Sequence, residues 1–377
     1  MNIFHKLWLR DFSPIEPSSP KTRNYYIDIL RAFSILLVFR QHVPIAGQTG
    51  TSWHGITIIN GYYGVTTFFS ISGFLITSNC IERWGELSSI HLARFYWTRF
   101  SRIIPCLLLF ITVMISLNYL HVRPYVAPSS ENLWSHAWMA LTFRYNFYYL
   151  EHNVPGMGAW AILWSLSIEE VFYILFPLFC RASRKESVMV FLLAGLLFLG
   201  PIARRNYVAL YKIQGCADAL AMGCLAAIAS HKTFATRISR IPRYLMALLG
   251  LTLLFGTIGY AYVNYNCAWG PTLVGAGAAI TLFAVSALPN FRIAFIRPLE
   301  LTGAASYEIY LLHNAVIIGL VSWFGKPTLL RATMYAIVIC SAGYLINRCF
   351  SEPVNRFLRG LRLPIFARTW RSSPTVD

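Results

Sequence analysis

The stretch Tyr25–Val43, YYIDILRAFSILLVFRQHV, decides the fold. As a helix its 19 residues extend about 28 Å at roughly 1.5 Å per residue. That length matches the hydrocarbon core of a bilayer, about 30 Å. The stretch is apolar enough to enter lipid, yet it carries Asp28, Arg31, Arg40 and His42. Ionisable groups are costly at membrane depth, and they face a bundle interior or a polar cavity. The segment therefore reads as a membrane helix packed among others, with chemistry on one face.

Nine further apolar runs surround it: 60–79, 103–120, 160–180, 187–203, 208–229, 244–262, 270–288, 304–323 and 329–347. The sixth span, 208–229, holds Lys212, Gln214 and Asp218, so it is expected inside the bundle rather than against lipid. Composition agrees. Of 377 residues 56% are hydrophobic, 15% aromatic and only 12% charged, whereas soluble domains average about 25% charged. The expectation is an all-α, polytopic transmembrane bundle of about ten spans. Residues 1–24 form a tail, 25–350 the membrane domain and 351–377 a basic tail.

The net charge is +17, from 32 Lys and Arg against 15 Asp and Glu. A nucleic-acid-binding domain is basic too, but not with so few charges and so many apolar residues. Topology accounts for the excess. With the N-terminus inside, 23 basic residues fall on the cytoplasmic side and six (Arg123, Arg144, Arg204, Arg205, Lys326, Arg331) on the other. That is the positive-inside pattern, with both termini cytoplasmic. The eight cysteines form no Cys-x-x-Cys pair and lie mostly in apolar runs, so they read as packing residues, with no metal site. The segment 121–159 is long for a connection. Its Trp134, Trp138, Tyr145, Phe147, Tyr148 and Tyr149 suit either an interfacial aromatic belt or a platform for a sugar ring or lipid head group, and 131–150 has the pattern of an interfacial helix.

Asp28 and Arg31, three residues apart, can pair on one helix face. Arg31 and His42 are eleven apart, three helical turns and about 20°, so both side chains point the same way, about 16 Å apart along the axis. Arg40 faces away from His42. An Arg toward the inner half and an imidazole near the outer end suit anion holding and proton chemistry; a packing-locking Asp–Arg pair with an interfacial His is the plainer alternative. Glu169 and Glu170 are adjacent in the fourth span, and two such carboxylates do not both stay charged and unpaired. Glu308, Tyr310 and His313 lie in the ninth, where His313 alone reads as a packing histidine. Before the third span, Arg94, Arg99 and Arg102 crowd together. Arg99 and Arg102 share a face and present forked guanidiniums suited to phosphate, or simply set topology.

These pieces in order resemble the acyltransferase-3 family of integral membrane acyltransferases. Asp28-Ile29-Leu30-Arg31-Ala32 followed by His42 is similar to its Asp-x-x-Arg-Ala opening and its Arg–ten residues–His motif. The run Phe68-Phe69-Ser70-Ile71-Ser72-Gly73-Phe74-Leu75-Ile76, then Arg99-Phe100-Ser101-Arg102-Ile103-Ile104-Pro105, then Trp164-Ser165-Leu166-Ser167-Ile168-Glu169-Glu170-Val171-Phe172-Tyr173 resemble later elements, as do Ser306 to His313 and Glu352-Pro353. The resemblance runs from about 25 to 357. It implies ten helices and transfer of an acyl group, usually acetyl, from cytoplasmic acyl-CoA to a hydroxyl. The acceptor is a cell-surface glycan or glycolipid such as O-antigen or exopolysaccharide, and the site is the inner membrane. With no esterase-like domain in the sequence, it resembles the family's stand-alone form. On this reading His42 is the general base or the transient acyl carrier, Asp28 holds Arg31, and Glu169 orients His42 or a nearby cation. Arg94, Arg99 and Arg102 grip the CoA phosphates. The partners are acyl-CoA, the glycan acceptor and membrane lipid, with no metal and no nucleic acid. A transporter or flippase is the rival; it would often show paired halves, and no such repeat is visible.

Overall fold

Asn24 opens the first helix. Its side-chain oxygen accepts from the backbone N–H groups of Tyr26 and Ile27, at 3.1 and 3.4 Å, satisfying donors that the first turn leaves bare. Its amide nitrogen reaches across to the carbonyl of Val285 at 2.9 Å. The structure is a computed structural model. It describes residues 24–44, 61–126, 132–152, 158–204, 213–263, 269–290 and 294–361, with the pairs 52–53 and 56–57. The tail before residue 24, Lys212 and the basic tail beyond 361 lie outside the described residues.

Among the described residues the chain is helical, with turns, apart from a short hairpin of two-residue strands, Ser52–Trp53 against Ile56–Thr57. In order the helices of eight residues or more are α1 Tyr25–His42, α2 Tyr62–Trp84, α3 Leu92–Tyr119, α4 Leu133–Leu141, α5 Tyr145–His152, α6 Leu163–Ser183 and α7 Glu186–Ala203. They continue with α8 Ile213–Ser230, α9 Arg240–Val263, α10 Gly270–Val285, α11 Arg297–Ala304, α12 Ser306–Phe324, α13 Leu329–Ile346 and α14 Glu352–Gly360. A helix thus occupies each of the ten apolar runs. Among the described residues, seven are long and apolar enough to cross a membrane: α2, α3, α6, α7, α9, α12 and α13. The apolar segments Gly215–Ser230 and Gly270–Val285 are shorter, and α1 carries its charges. Residues 347–351 form one wide turn that carries α13 into α14, so the expected tail begins as a helix.

Burial sorts the helices. Phe191 and Phe198 on α7, Leu245, Leu248 and Leu249 on α9, and Leu330 and Ile337 on α13 are exposed apolar side chains, as lipid contact requires. In contrast α8 buries Cys216, Asp218, Leu220, Cys224 and Ile228, the interior place its polar residues demanded. It can pack there because its partner approaches backbone to backbone. A Cβ on Gly73 of α2 would strike the Leu220 carbonyl, and one on Gly223 of α8 would strike that of Ser70. Small residues at such crossings let membrane helices close up.

Arg204 departs from its expected place in an outer loop. Its side chain has no accessible surface and pairs with Asp218 at 2.7 Å. A charge at the end of an apolar run reads as the start of a loop; a buried counter-ion on another helix reverses that reading. The aromatic segment also differs. Two helices, α4 and α5, replace one, because Phe143 turns into the left-handed region (φ 56°) and ends the first. Trp134 and Trp138 are exposed, while Tyr145 and Tyr148 are buried around His136.

Candidate active site

A cavity of about 130 Å³ lies among α1, α2, α3, α6 and α12. Arg31, Ser72, Arg99, Arg102, Glu169, Glu170, Tyr173 and Tyr310 line it. A wider vestibule of about 1380 Å³ shares Arg31, Asn79 and Arg102 with it and adds Asp28, Glu82, His231, Arg240, Glu308 and Glu352. The two form one polar route from the end of the bundle where α2 finishes and α3 begins.

Arg31 stands where the two spaces meet. Asp28, one turn earlier, is 3.7 Å from its guanidinium, as the spacing predicted. The backbone of Asp28 is itself seated: a Cβ on Gly303 of α11 would strike its carbonyl. Packing at that contact therefore fixes the height of Arg31.

On the opposite wall, Glu169 Oε1 accepts hydrogen bonds from the Ser72 and Tyr173 hydroxyls. These two hydroxyls are 2.5 Å apart. The Arg99 guanidinium lies 5.0 Å from the centre of the Tyr173 ring and 5.7 Å from that of Phe95, cation–π distances. Glu170 is buried, with one carboxyl oxygen lacking a hydrogen-bond partner. The adjacent carboxylates thus sit in different environments.

His42 ends α1 and lines neither space. Its Nδ1 lies 2.9 Å from the Val38 carbonyl oxygen. A carbonyl only accepts, so Nδ1 is the donor in this contact. The ring beside it is His313 of α12: centroids 4.9 Å apart, planes at 73°. His313 is fully buried. It donates from Nδ1 to the Tyr310 carbonyl at 2.5 Å, and its Nε2 has no partner. The Tyr310 ring is 5.3 Å from that of His313, and its hydroxyl meets Ser165 at 2.6 Å in the cavity wall. From the cavity outward the order is Tyr310, His313, His42.

The structure brings Arg31, Arg99, Arg102 and Glu169 to one cavity, with Asp28 behind Arg31. It sets His42 one ring beyond, next to His313 rather than beside the Ser72–Glu169–Tyr173 cluster. Arg94 is half-buried and lines neither space. Ser72 and Tyr173 belong to two separate motifs of the sequence, and only the tertiary structure brings both to one carboxylate. Among the described residues no group of three or more His, Cys, Asp or Glu is arranged to hold a metal ion.

Comparison with known proteins decides the family. The family model described as an acyltransferase domain (Acyl_transf_3) matches residues 24–348. The chain belongs to the acyltransferase-3 family. It is similar to the O-acetyltransferase OatA of Staphylococcus aureus (strain NCTC 8325 / PS 47), 25% identical over 342 residues, covering 84% of this chain and 54% of that protein. It is also similar to the peptidoglycan O-acetyltransferase OatA of Listeria monocytogenes, 26% identical over 322 residues, covering 77% of this chain and 49% of that protein. The chain spans about half the length of these relatives. No solved structure matches it.

Proposed function

We propose that this acyltransferase-3 member is a ten-span O-acetyltransferase of the inner membrane. It takes acetyl from cytoplasmic acyl-CoA and delivers it to a hydroxyl of a cell-surface glycan or glycolipid. The observation that carries this reading is the polar route from Arg99 and Arg102, past Arg31, to Tyr310, with the His313–His42 pair directly behind it. With both termini cytoplasmic, the arginines open to the donor side and His42 to the acceptor side.

Each group then has a task. Arg99 and Arg102, with Arg94 nearby, hold the donor's phosphates by forked, charge-assisted bonds. Arg31, kept in place by Asp28, steadies the arm carrying the thioester. Nε2 of His42 either takes the proton of the acceptor hydroxyl, whose oxygen attacks the thioester carbon as the C–S bond breaks and CoA leaves with that proton, or itself attacks the thioester carbon, expels CoA and passes the acetyl to the acceptor hydroxyl. Tyr173 and Ser72 hold the Glu169 carboxyl in place in the cavity that Arg99 and Arg102 line. The relatives' names supply the acceptor class: one is called a peptidoglycan O-acetyltransferase, and a muramyl glycan is a first acceptor to try alongside O-antigen and exopolysaccharide.

The test is transfer of radiolabelled acetyl from acetyl-CoA to glycan by membranes containing the full chain. His42→Ala is expected to abolish incorporation, beyond the 10²–10⁴-fold typical of a lost acid–base group, while protein levels in the membrane stay unchanged. Full incorporation by that variant overturns the role of His42. Uptake of solute without any incorporation by the unaltered protein overturns the enzyme reading in favour of a carrier.

A further inference from the structure

Two arginines that the motifs leave aside join the donor end of the route. Arg83 ends α2, and Arg359 ends α14. Arg83 follows Glu82, which lines the vestibule together with Arg102, and its guanidinium lies 5.6 Å from the centre of the Trp84 ring; Arg359 Nη2 reaches the Thr98 carbonyl on α3 at 3.4 Å, one residue before Arg99. With Arg94, Arg99 and Arg102 of α3, five guanidiniums from three helices therefore converge at one mouth. Among the described residues none of the five forms an ion pair with a carboxylate.

Arg359 is fixed there by its helix. Three hydrogen bonds hold α14 against α3: Trp97 Nε1 to the Leu358 carbonyl at 3.1 Å, Ser101 Oγ to Asn355 Oδ1 at 3.0 Å, and Arg359 Nη2 to the Thr98 carbonyl at 3.4 Å. Thr98 and Ser101 flank Arg99 and Arg102 on the same helix. The neighbouring Arg356 is instead paired with Glu352 at 3.1 Å.

Like charges gathered with no direct ion pair repel, and a polyanion relieves that repulsion. Topology needs basic residues near the membrane; it does not need them convergent from three helices or continuous with an internal cavity. Arg99 and Arg102 already line that cavity, so the anion bound here has its remainder inside the bundle. That describes a nucleotide with several phosphates and a long arm.

We propose that Arg83 and Arg359 complete, with Arg99 and Arg102, a polyphosphate site for the nucleotide end of the acyl donor, making the helix after the last span part of the donor-binding surface. This rests on the acyl-CoA reading above.

The test is equilibrium binding of acetyl-CoA to the full chain in neutral-lipid nanodiscs. Arg83→Gln and Arg359→Gln are each expected to raise Kd about tenfold, the loss of one charge-assisted contact. Arg359→Lys should recover part of the loss, and Arg356→Gln should bind as the unaltered protein does. Adding 3′,5′-ADP should compete with acetyl-CoA in the unaltered protein, a measurement that needs no variant to fold. Unchanged Kd in both Gln variants, or failure of 3′,5′-ADP to compete, overturns this proposal while leaving the enzyme reading intact. So does an effect of the variants on phosphatidylglycerol binding alone, which assigns the cluster to lipid head groups. No acetyl-CoA binding by the unaltered protein overturns both.

Discussion

Asp218→Asn tests what holds the centre of the bundle. Arg204 and Asp218 are joined side by side, Nη2 to Oδ2 at 2.7 Å and Nη1 to Oδ1 at 3.0 Å. Thr272 of α10 donates its hydroxyl to Asp218 Oδ2 at 2.6 Å, and Arg204 also donates to the Gly215 carbonyl. Both charged side chains have 0% accessible surface. A Cβ on Gly200 would strike the carboxylate itself, so the space around it is filled by protein. Asparagine keeps the volume and removes the charge, which leaves a buried guanidinium uncompensated. Removing one member of such a pair costs about 3–5 kcal/mol. At about 2–4 °C per kcal/mol for a large domain, melting in detergent should fall by about 6–20 °C, read from tryptophan fluorescence or loss of the monodisperse size-exclusion peak. Arg204→Met with Asp218→Leu removes both charges and should melt near the unaltered protein, because a buried pair replaced by apolar groups is often neutral. A fall under about 2 °C for Asp218→Asn, or a double variant as unstable as the single, refutes the argument. The consequence reaches the cavity: α8, which carries Asp218, lies backbone to backbone on α2 beside Ser70, two residues before the Ser72 that holds Glu169.

Tyr173→Phe deletes one of the two hydroxyls on Glu169 and should lower acetyl transfer by about 10–100-fold, the weight of a hydrogen bond to a charged group at about 1.5–3 kcal/mol; turnover within twofold of the unaltered protein, measured at saturating acetyl-CoA, would remove Glu169's setting from the mechanism. His313→Gln replaces the ring beside His42 with a side chain that still hydrogen-bonds. Transfer should drop at least about 100-fold with melting unchanged, and a variant with full transfer would return His313 to the role of a packing residue.

What the sequence could disclose follows from the solvent. In lipid each backbone polar group must be satisfied within its own segment, so a helix and its limits are written locally. That is why α1, α7 and α12 lie within two residues of the runs read from hydropathy. The large discrepancy has a local cause as well. α3 begins at Leu92, eleven residues before its apolar run, because Arg94, Arg99 and Arg102 hide a helical turn pattern from any measure of apolarity. Contacts between helices are a different kind of information. Asp28 and Arg31 share one helix, so their pairing was legible. His42 and His313 lie on α1 and α12, and nothing in either segment specifies the other ring; the ninth span's histidine alone looked like packing. Arg204 failed for the same reason, since only Asp218 on another helix makes its burial tolerable. The residues whose neighbours are remote in sequence are also those at which the bundle does chemistry or stores charge, because each needs a counterpart that its own helix cannot provide. For this chain, pair variants across α1–α12 and α7–α8 therefore carry more information about function than single changes within any one motif.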